Sequence, residues 1–161
     1  MSETAKIRHK VLPYLEGGRG LDLGCGWDKV TYDAIGVNQD WAGQGDRADF
    51  WFDLNLPIPS PDGIWDFVYS SHLLEHLLEP YRALKDWWAK IKPGGYLVLY
   101  MPHKELYLEP NPEHLNMWTT EELLVRVEAL PGATILMGET EDPAVDGPDR
   151  YSFLIMAQKQ G

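Results

Sequence analysis

The chain has 161 residues, 44% hydrophobic and 24% charged, the size and composition of a single domain spanning residues 1–161 with a real core. Fourteen basic against 25 acidic residues give a net charge of -11, a field that repels a phosphate backbone and argues against a nucleic-acid partner. One cysteine excludes an internal disulfide framework, and no signal segment or membrane-length apolar run is visible, so a cytoplasmic protein with no membrane partner is expected.

Residues 2–20 read as a helix, with Ser2 or Thr4 as cap, Pro13 near its end and Gly17-Gly18 as its stop. GLDLG (20–24) is a short apolar strand running into glycines, DAIGVN (33–38) a second strand and ADFWFDL (48–54) a third. After the proline-rich loop PIPSPDG, the aromatic and β-branched IWDFVYSS (64–71) is a fourth. Pro80 suits the first turn of a helix whose buried face carries Tyr81, Leu84, Trp88 and Ile91. The Trp87-Trp88 pair reads as core. KPGG stops that helix, and YLVLYM (96–101) is nearly all apolar, as a strand covered on both faces should be. Thr119 and Glu122 form a capping-box pattern for a helix to about Leu130. ATILMG and RYSFLIMAQ are two final strands, joined by an acidic, solvated connection over 139–149. Strands alternating with helices argue for an α/β domain with a mostly parallel sheet.

The links between the early strands are short. Residues 24–33 are fewer than a crossover helix normally needs, and the glycine-rich 39–48 is no better. Helical cover near the first and second strands should therefore be truncated. Trp27, Trp41, Trp51 and Phe52 would supply cover, or a second copy would pack there as a homodimer.

LDLGCG (21–26) is the strongest local signal, because a strand entering Gly-x-Gly lets the backbone turn sharply and approach a ligand. With AIGVN, FDLN followed by LPIP, WDFVYSSHLLEHL and KIKPGGYLVLYMPH in the same order, the chain resembles the class I S-adenosylmethionine-dependent methyltransferases over roughly residues 12–102. The resemblance implies a Rossmann-like three-layer sandwich with a seven-strand, mostly parallel sheet and an antiparallel last strand. It implies S-adenosylmethionine as cofactor, with Asp22 supporting the turn and the cofactor's amino end, and Gly24, Cys25 and Gly26 as the backbone cradle. Asn38 stands where the family usually has the acid that reads the ribose hydroxyls, and Asp40 is placed to supplement it. Asp53 matches the adenine-amine acceptor, the Leu54 backbone the ring contact, and Ser70 lies at the end of the fourth strand beside the cofactor. Trp27, where the family often has a small residue, either caps the cofactor or packs on the second strand. Cys25 reads as a small residue inside the turn rather than a reactive thiol.

Methyl transfer to most acceptors also needs a base. His72 follows the fourth strand and His103 the fifth, at the strand ends where ligands bind in open α/β sheets. His114 lies in NPEHLNMW, expected to lie over the pocket. His72 is the first candidate, then His103 or His114, and each could instead only hold a loop. HLLEH (72–76) also fits the H-x-x-E-H pattern of zinc peptidases. Pro80 keeps any helix there brief and the stretch directly follows a buried strand, so no metal is assigned and His76 reads as structural. The readings are thus a methyltransferase acting on a small-molecule or sugar-like acceptor, a non-catalytic module binding S-adenosylmethionine or S-adenosylhomocysteine and acting through a partner, and, with least weight, a zinc hydrolase.

Overall fold

Ser2 opens the first helix: its hydroxyl accepts from the Ala5 amide at 3.0 Å and caps α1, Glu3–Leu15. The computed structural model describes residues 1–39 and 47–161. Ile7, Val11 and Leu15 recur every four residues on α1 and are buried against Phe67, Tyr69, Val98 and Tyr100. Each such aliphatic side chain contributes roughly 1.5–3 kcal/mol of burial.

Seven strands lie among the described residues: β1 Gly20–Leu23, β2 Ile35–Asn38, β3 Phe50–Trp51, β4 Trp65–Ser71, β5 Ile91–Pro102, β6 Ala133–Thr140 and β7 Ser152–Lys159. Their order is β3-β2-β1-β4-β5-β7-β6, with the pairs from β3 to β5 parallel and β7 antiparallel to both neighbours. Alternate residues of β4 and β5 feed opposite cores. Phe67, Tyr69, Val98 and Tyr100 face α1; Val68, Leu97, Leu99 and Met101 face α2, Pro80–Lys90, and α3, Thr120–Glu128. Trp87 and Trp88 are buried in that second core, and the Trp88 indole donates to the Pro131 carbonyl at 2.9 Å. The α1–sheet–α2/α3 sandwich is the expected three-layer architecture.

Residues 24–34 form turns without a helix, as their length requires. On one face α1, which precedes the sheet, covers β4 and β5. On the opposite face, Leu21, Ile35, Val37, Phe50, Phe52 and Ile58 line an apolar cavity of about 330 Å³. The sequence implied a homodimer through the thinly covered early strands, without specifying a face. Trp41, also expected to cover them, lies outside the described residues. Trp51 is 55% exposed, and Phe52 packs partly against the core.

Three elements depart from their sequence expectation. The third strand shrinks to two residues, because Asp53 turns the chain: its carboxylate accepts from the Asn55 amide and its carbonyl from Leu56. KPGG falls inside the bounds of β5, which pairs back to Trp65 through Ile91 with an irregular register. The acidic connection contains one helical turn, α4, Pro143–Asp146, capped by Asp142.

The β1–β4 pairing sets Gly20 opposite Phe67. A Cβ on Gly20 would lie 2.3 Å from the buried Phe67 ring. Gly20→Ala should therefore destabilise the fold by about 1–3 kcal/mol in urea melts, as overpacking does. Gly138→Ala, whose Cβ would meet Leu124 at an ordinary 3.5 Å, should be neutral or stabilising by up to about 1 kcal/mol. Equal effects at the two positions would refute the packing argument.

Candidate functional site

β1, β4 and β5 are adjacent and parallel, so their carboxyl ends emerge at one edge. Gly24 follows β1, His72 follows β4 and His103 follows β5. Gly24 (φ 74°) and Gly26 (φ 54°) are left-handed, the conformation that glycine adopts without strain. A Cβ at Gly26 would meet nothing within 4 Å, so the chain there faces open space.

The glycine turn is anchored from below. Asp22 is fully buried, and its Oδ2 accepts from the Val30 amide at 2.6 Å. Among the described residues its Oδ1 has no hydrogen-bond partner. Burial pushes this carboxyl up to about 7; the Val30 hydrogen bond and Lys29 oppose the shift, Asp28 adds to it and Arg8 opposes it. The unfolded chain ionises near 3.8, so the folded state holds an extra proton between that value and about 7. The stability linked to Asp22 is thus intact below 3.8, declines as pH rises, and levels off above about 7. Denaturant melts across this window should show a smaller decline for Asp22→Asn than for wild type. Parallel pH profiles would remove Asp22 as the source.

Gly24, Cys25, Gly26 and Trp27 line a pocket of about 190 Å³ with Ser71 and His72. Its other wall is the start of α1, Ser2 to Thr4, together with Asp28. Trp27 is 60% exposed and belongs to neither core, so it stands at the pocket mouth rather than packing on β2. Cys25 is buried beside Gly36, where a Cβ would come within 2.7 Å of its sulfur. A larger cavity, about 750 Å³, opens where a crossover helix would have packed and is lined by Leu12, Lys29, Tyr32 and Arg47 among others. The glycine turn does not border it.

The remaining cofactor candidates are engaged within the protein. Asn38 Oδ1 accepts from the Gly26 amide at 3.0 Å, tying the end of β2 to the turn. Asp40, expected to supplement Asn38, lies outside the described residues. The Leu54 amide, expected to meet an adenine ring, donates to Gln39 Oε1 at 2.9 Å. Asp53 is exposed and makes the Asx-turn described above. Ser70 is turned inward, donating to the Leu23 carbonyl at 3.2 Å; its neighbour Ser71 faces the pocket. Period-two alternation along β4 allows only one of these serines to face the cleft, and the register chooses Ser71.

The histidines separate clearly. His72 borders the pocket in a left-handed conformation (φ 50°), rare for a residue with a Cβ and characteristic of functional sites. Its amide donates to the Tyr100 carbonyl at 2.8 Å, and its Nε2 lies 3.0 Å from Ser152 Oγ and 3.5 Å from Glu3 Oε2. Burial pushes its pKa down to about 3, with Lys6, His114 and His76 adding repulsion, so the ring is neutral at physiological pH. His103 is buried, its Nδ1 accepts from the Glu105 amide at 3.2 Å, and its ring packs edge-on against Phe153. This is the geometry of a loop-holding residue. His114 is partly buried against His76 and Tyr107, and burial followed by His76 lowers its pKa.

HLLEH does not form the helix that a zinc peptidase requires. Only Leu74–His76 makes a single 3₁₀ turn, and His72, left-handed, lies in the bend between β4 and that turn. The segment carrying His114 is fastened to this turn: the Leu115 and Asn116 amides donate to the Glu75 carbonyl at 2.9 and 3.1 Å, and Asn116 Nδ2 to the Leu77 carbonyl at 2.8 Å. Sequence reading missed Glu3, Gln39 and Ser71. Of these, Ser71 was open to prediction through strand alternation, whereas Glu3 and Gln39 reach the site only through tertiary packing.

Residues 2–130 match the family described as methyltransferase domain. Ajmaline N-methyltransferase of Rauvolfia serpentina is 25% identical over 105 residues, 63% of this chain but 36% of that protein, so the chain matches about a third of the length of that curated relative. An S-adenosylmethionine-dependent methyltransferase from Mesorhizobium loti superimposes with a TM-score of 0.71 at 18% identity, covering 98% of both chains. A Burkholderia thailandensis 1,6-didemethyltoxoflavin-N1-methyltransferase, solved with 1,6-didemethyltoxoflavin and S-adenosylhomocysteine, superimposes with a TM-score of 0.72 at 14% identity, covering 99% of this chain and 79% of that one. The family match across residues 2–130, on a sheet with this strand order and a glycine turn at its carboxyl edge, places the chain in the class I S-adenosylmethionine-dependent methyltransferase family.

Proposed function

We propose that the chain transfers the methyl group of S-adenosylmethionine to a small-molecule acceptor at the edge formed by Gly24, Gly26 and His72. The observation that carries this reading is Asp22: a fully buried carboxylate with one oxygen that has no hydrogen-bond partner among the described residues, directly beneath an open glycine turn. A cationic amino group is the chemistry such an oxygen suits, and the turn's backbone can approach a ligand closely. The residues present therefore fit the cofactor, which when bound supplies an activated sulfonium methyl. Asp22 and residues 24–26 would hold its amino-acid end, with Trp27 over the mouth. Asn38, Asp53 and the Leu54 amide would serve the nucleoside end once Gln39 releases Leu54.

His72 is the acceptor-side group, because it alone of the three candidate histidines borders the pocket. A neutral imidazole of low basicity can hold an acceptor by a hydrogen bond. It can take a proton from a nitrogen acceptor, which becomes acidic as it gains the methyl group, more readily than from a neutral hydroxyl. Ajmaline N-methyltransferase and the Burkholderia N1-methyltransferase act, by their names, on nitrogen, which agrees with that preference. The anionic field of the chain also favours a small acceptor over a nucleic acid.

Calorimetric titration of the purified chain with S-adenosylhomocysteine, followed by methyl transfer to a panel of small amines and hydroxyl compounds, tests the reading. Saturable binding with transfer to an amine is the expected result. Binding without transfer to any acceptor would support the non-catalytic module instead, and no binding would remove the central claim.

A further inference from the structure

The HLLEH stretch keeps one unexplained group. Glu75 is wholly buried, and among the described residues neither of its carboxylate oxygens receives a hydrogen bond from another residue. The nearest basic nitrogens are His76 Nε2 at 3.6 Å and His72 Nδ1 at 4.0 Å, both on Oε1. Leaving a buried carboxylate bare is costly, and proteins rarely keep one without a compensating partner. His114 arrives at the same place from the distant 104–118 segment. One ligand atom each from Glu75, His76 and His114 lies within 4.8 Å of the others.

The tautomer of His76 is fixed by its second contact. Its Nδ1 lies 2.9 Å from the Glu113 carbonyl, which can only accept, so in the neutral ring Nδ1 carries the proton. The Nε2 lone pair is thereby turned toward Glu75. A ring nitrogen donating to a backbone carbonyl, leaving the other nitrogen free to ligate, is the usual support of a metal-bound histidine. Two imidazoles and one carboxylate form a donor set for a divalent transition metal, whose remaining positions water would complete.

We propose that Glu75, His76 and His114 bind one divalent transition-metal ion, Zn²⁺ or Mn²⁺, at the rim of the cofactor cleft. This departs from the sequence expectation of no metal. It also differs from the zinc-peptidase pattern, since the two histidines of HLLEH do not share a helix and the third ligand comes from another segment. Bond lengths of about 2.0–2.1 Å would draw the three ligand atoms closer than they now lie, a movement open to His114 on its exposed segment. The ion would clamp the 104–118 segment to the turn at 74–76 and neutralise the bare carboxylate next to His72. Binding of the ion is a property of the protein alone and does not depend on methyl transfer.

Chelator-treated protein is titrated calorimetrically with ZnCl₂, MnCl₂ and, as a hard-cation comparison, MgCl₂. One equivalent of Zn²⁺ or Mn²⁺ should bind, with Mg²⁺ much weaker. His114→Ala, at a partly exposed position where folding should survive, should weaken binding at least about 100-fold, consistent with loss of a direct ligand where supporting residues alone cost 10–100-fold. His76→Ala should do the same, whereas His9→Ala on the exposed face of α1 should leave binding unchanged. Circular dichroism verifies that each variant is folded, and S-adenosylhomocysteine titration of the same samples separates loss of the metal site from loss of the cofactor site. Absence of saturable binding to folded wild type, binding unaffected by His114→Ala and His76→Ala, or equal loss in His9→Ala would each overturn the proposal.

Discussion

Asp22→Ala is expected to weaken S-adenosylhomocysteine binding by about 10–100-fold, the equivalent of a lost hydrogen bond involving a charged group. The substitution removes the Oδ1 proposed to meet the cofactor's amino group and the Oδ2 that holds the Val30 amide. It therefore acts twice: on the amino-acid end of the ligand and on the 24–30 turn that shapes the pocket. The buried Val30 amide is left without its acceptor, so stability should also fall by about 1–3 kcal/mol. Calorimetry with the variant at a pH above 7, where the wild-type carboxyl is ionised, gives the cleanest comparison. Unchanged affinity in a folded variant would move the cofactor away from this turn.

Trp87→Ala should have the largest effect on stability, about 3–5 kcal/mol, the range for emptying the site of a fully buried aromatic. Trp87 is 1% exposed and sits on α2 within the core that holds Val68, Leu97 and Leu99. Leu74 and Leu77 belong to the same core, so the damage should spread to the turn that carries Glu75 and His76. A domain of ordinary stability, about 5–15 kcal/mol, would lose a large fraction of it. Urea melts should show a lower midpoint with little change in slope. A midpoint shift no larger than that of an exposed-site substitution such as Val145→Ala would contradict the assigned packing.

Most of the sheet was legible because its signals are local. GLDLG, IWDFVYSS and YLVLYM are apolar runs bounded by glycine or proline, and each became a strand within a few residues of its expected limits. The third strand was less legible, since ADFWFDL looks extended throughout while Asp53 ends it through a side-chain turn. At the site, the glycine turn and His72 could be placed from strand order alone. The partners of Asn38 and Leu54 could not, because Gly26 and Gln39 reach them through space. The choice of Ser71 over Ser70 depended on register. The meaning of Glu75 was hidden for a different reason: a charged residue inside HLLEHLL looks like the polar side of a helix, and only packing shows that it is buried with no hydrogen-bond partner among the described residues.

The position of α1 bears on how the chain reaches this state. The helix that precedes β1 rests its apolar side on the middle of the sheet, over β4 and β5, in a cluster that includes residues of β7. Leu154 and Met156, two of the residues it meets, lie more than a hundred positions along the chain. Its docking therefore joins residues far apart in the chain, a closure with a larger entropic cost than a local contact. The residues that wall the pocket opposite the glycine turn, Ser2 to Thr4, sit at the N-terminal end of this helix. One wall of the pocket is thus held by the packing of α1 on β4 and β5, and a substitution that loosens that packing would widen the pocket without touching the glycine turn.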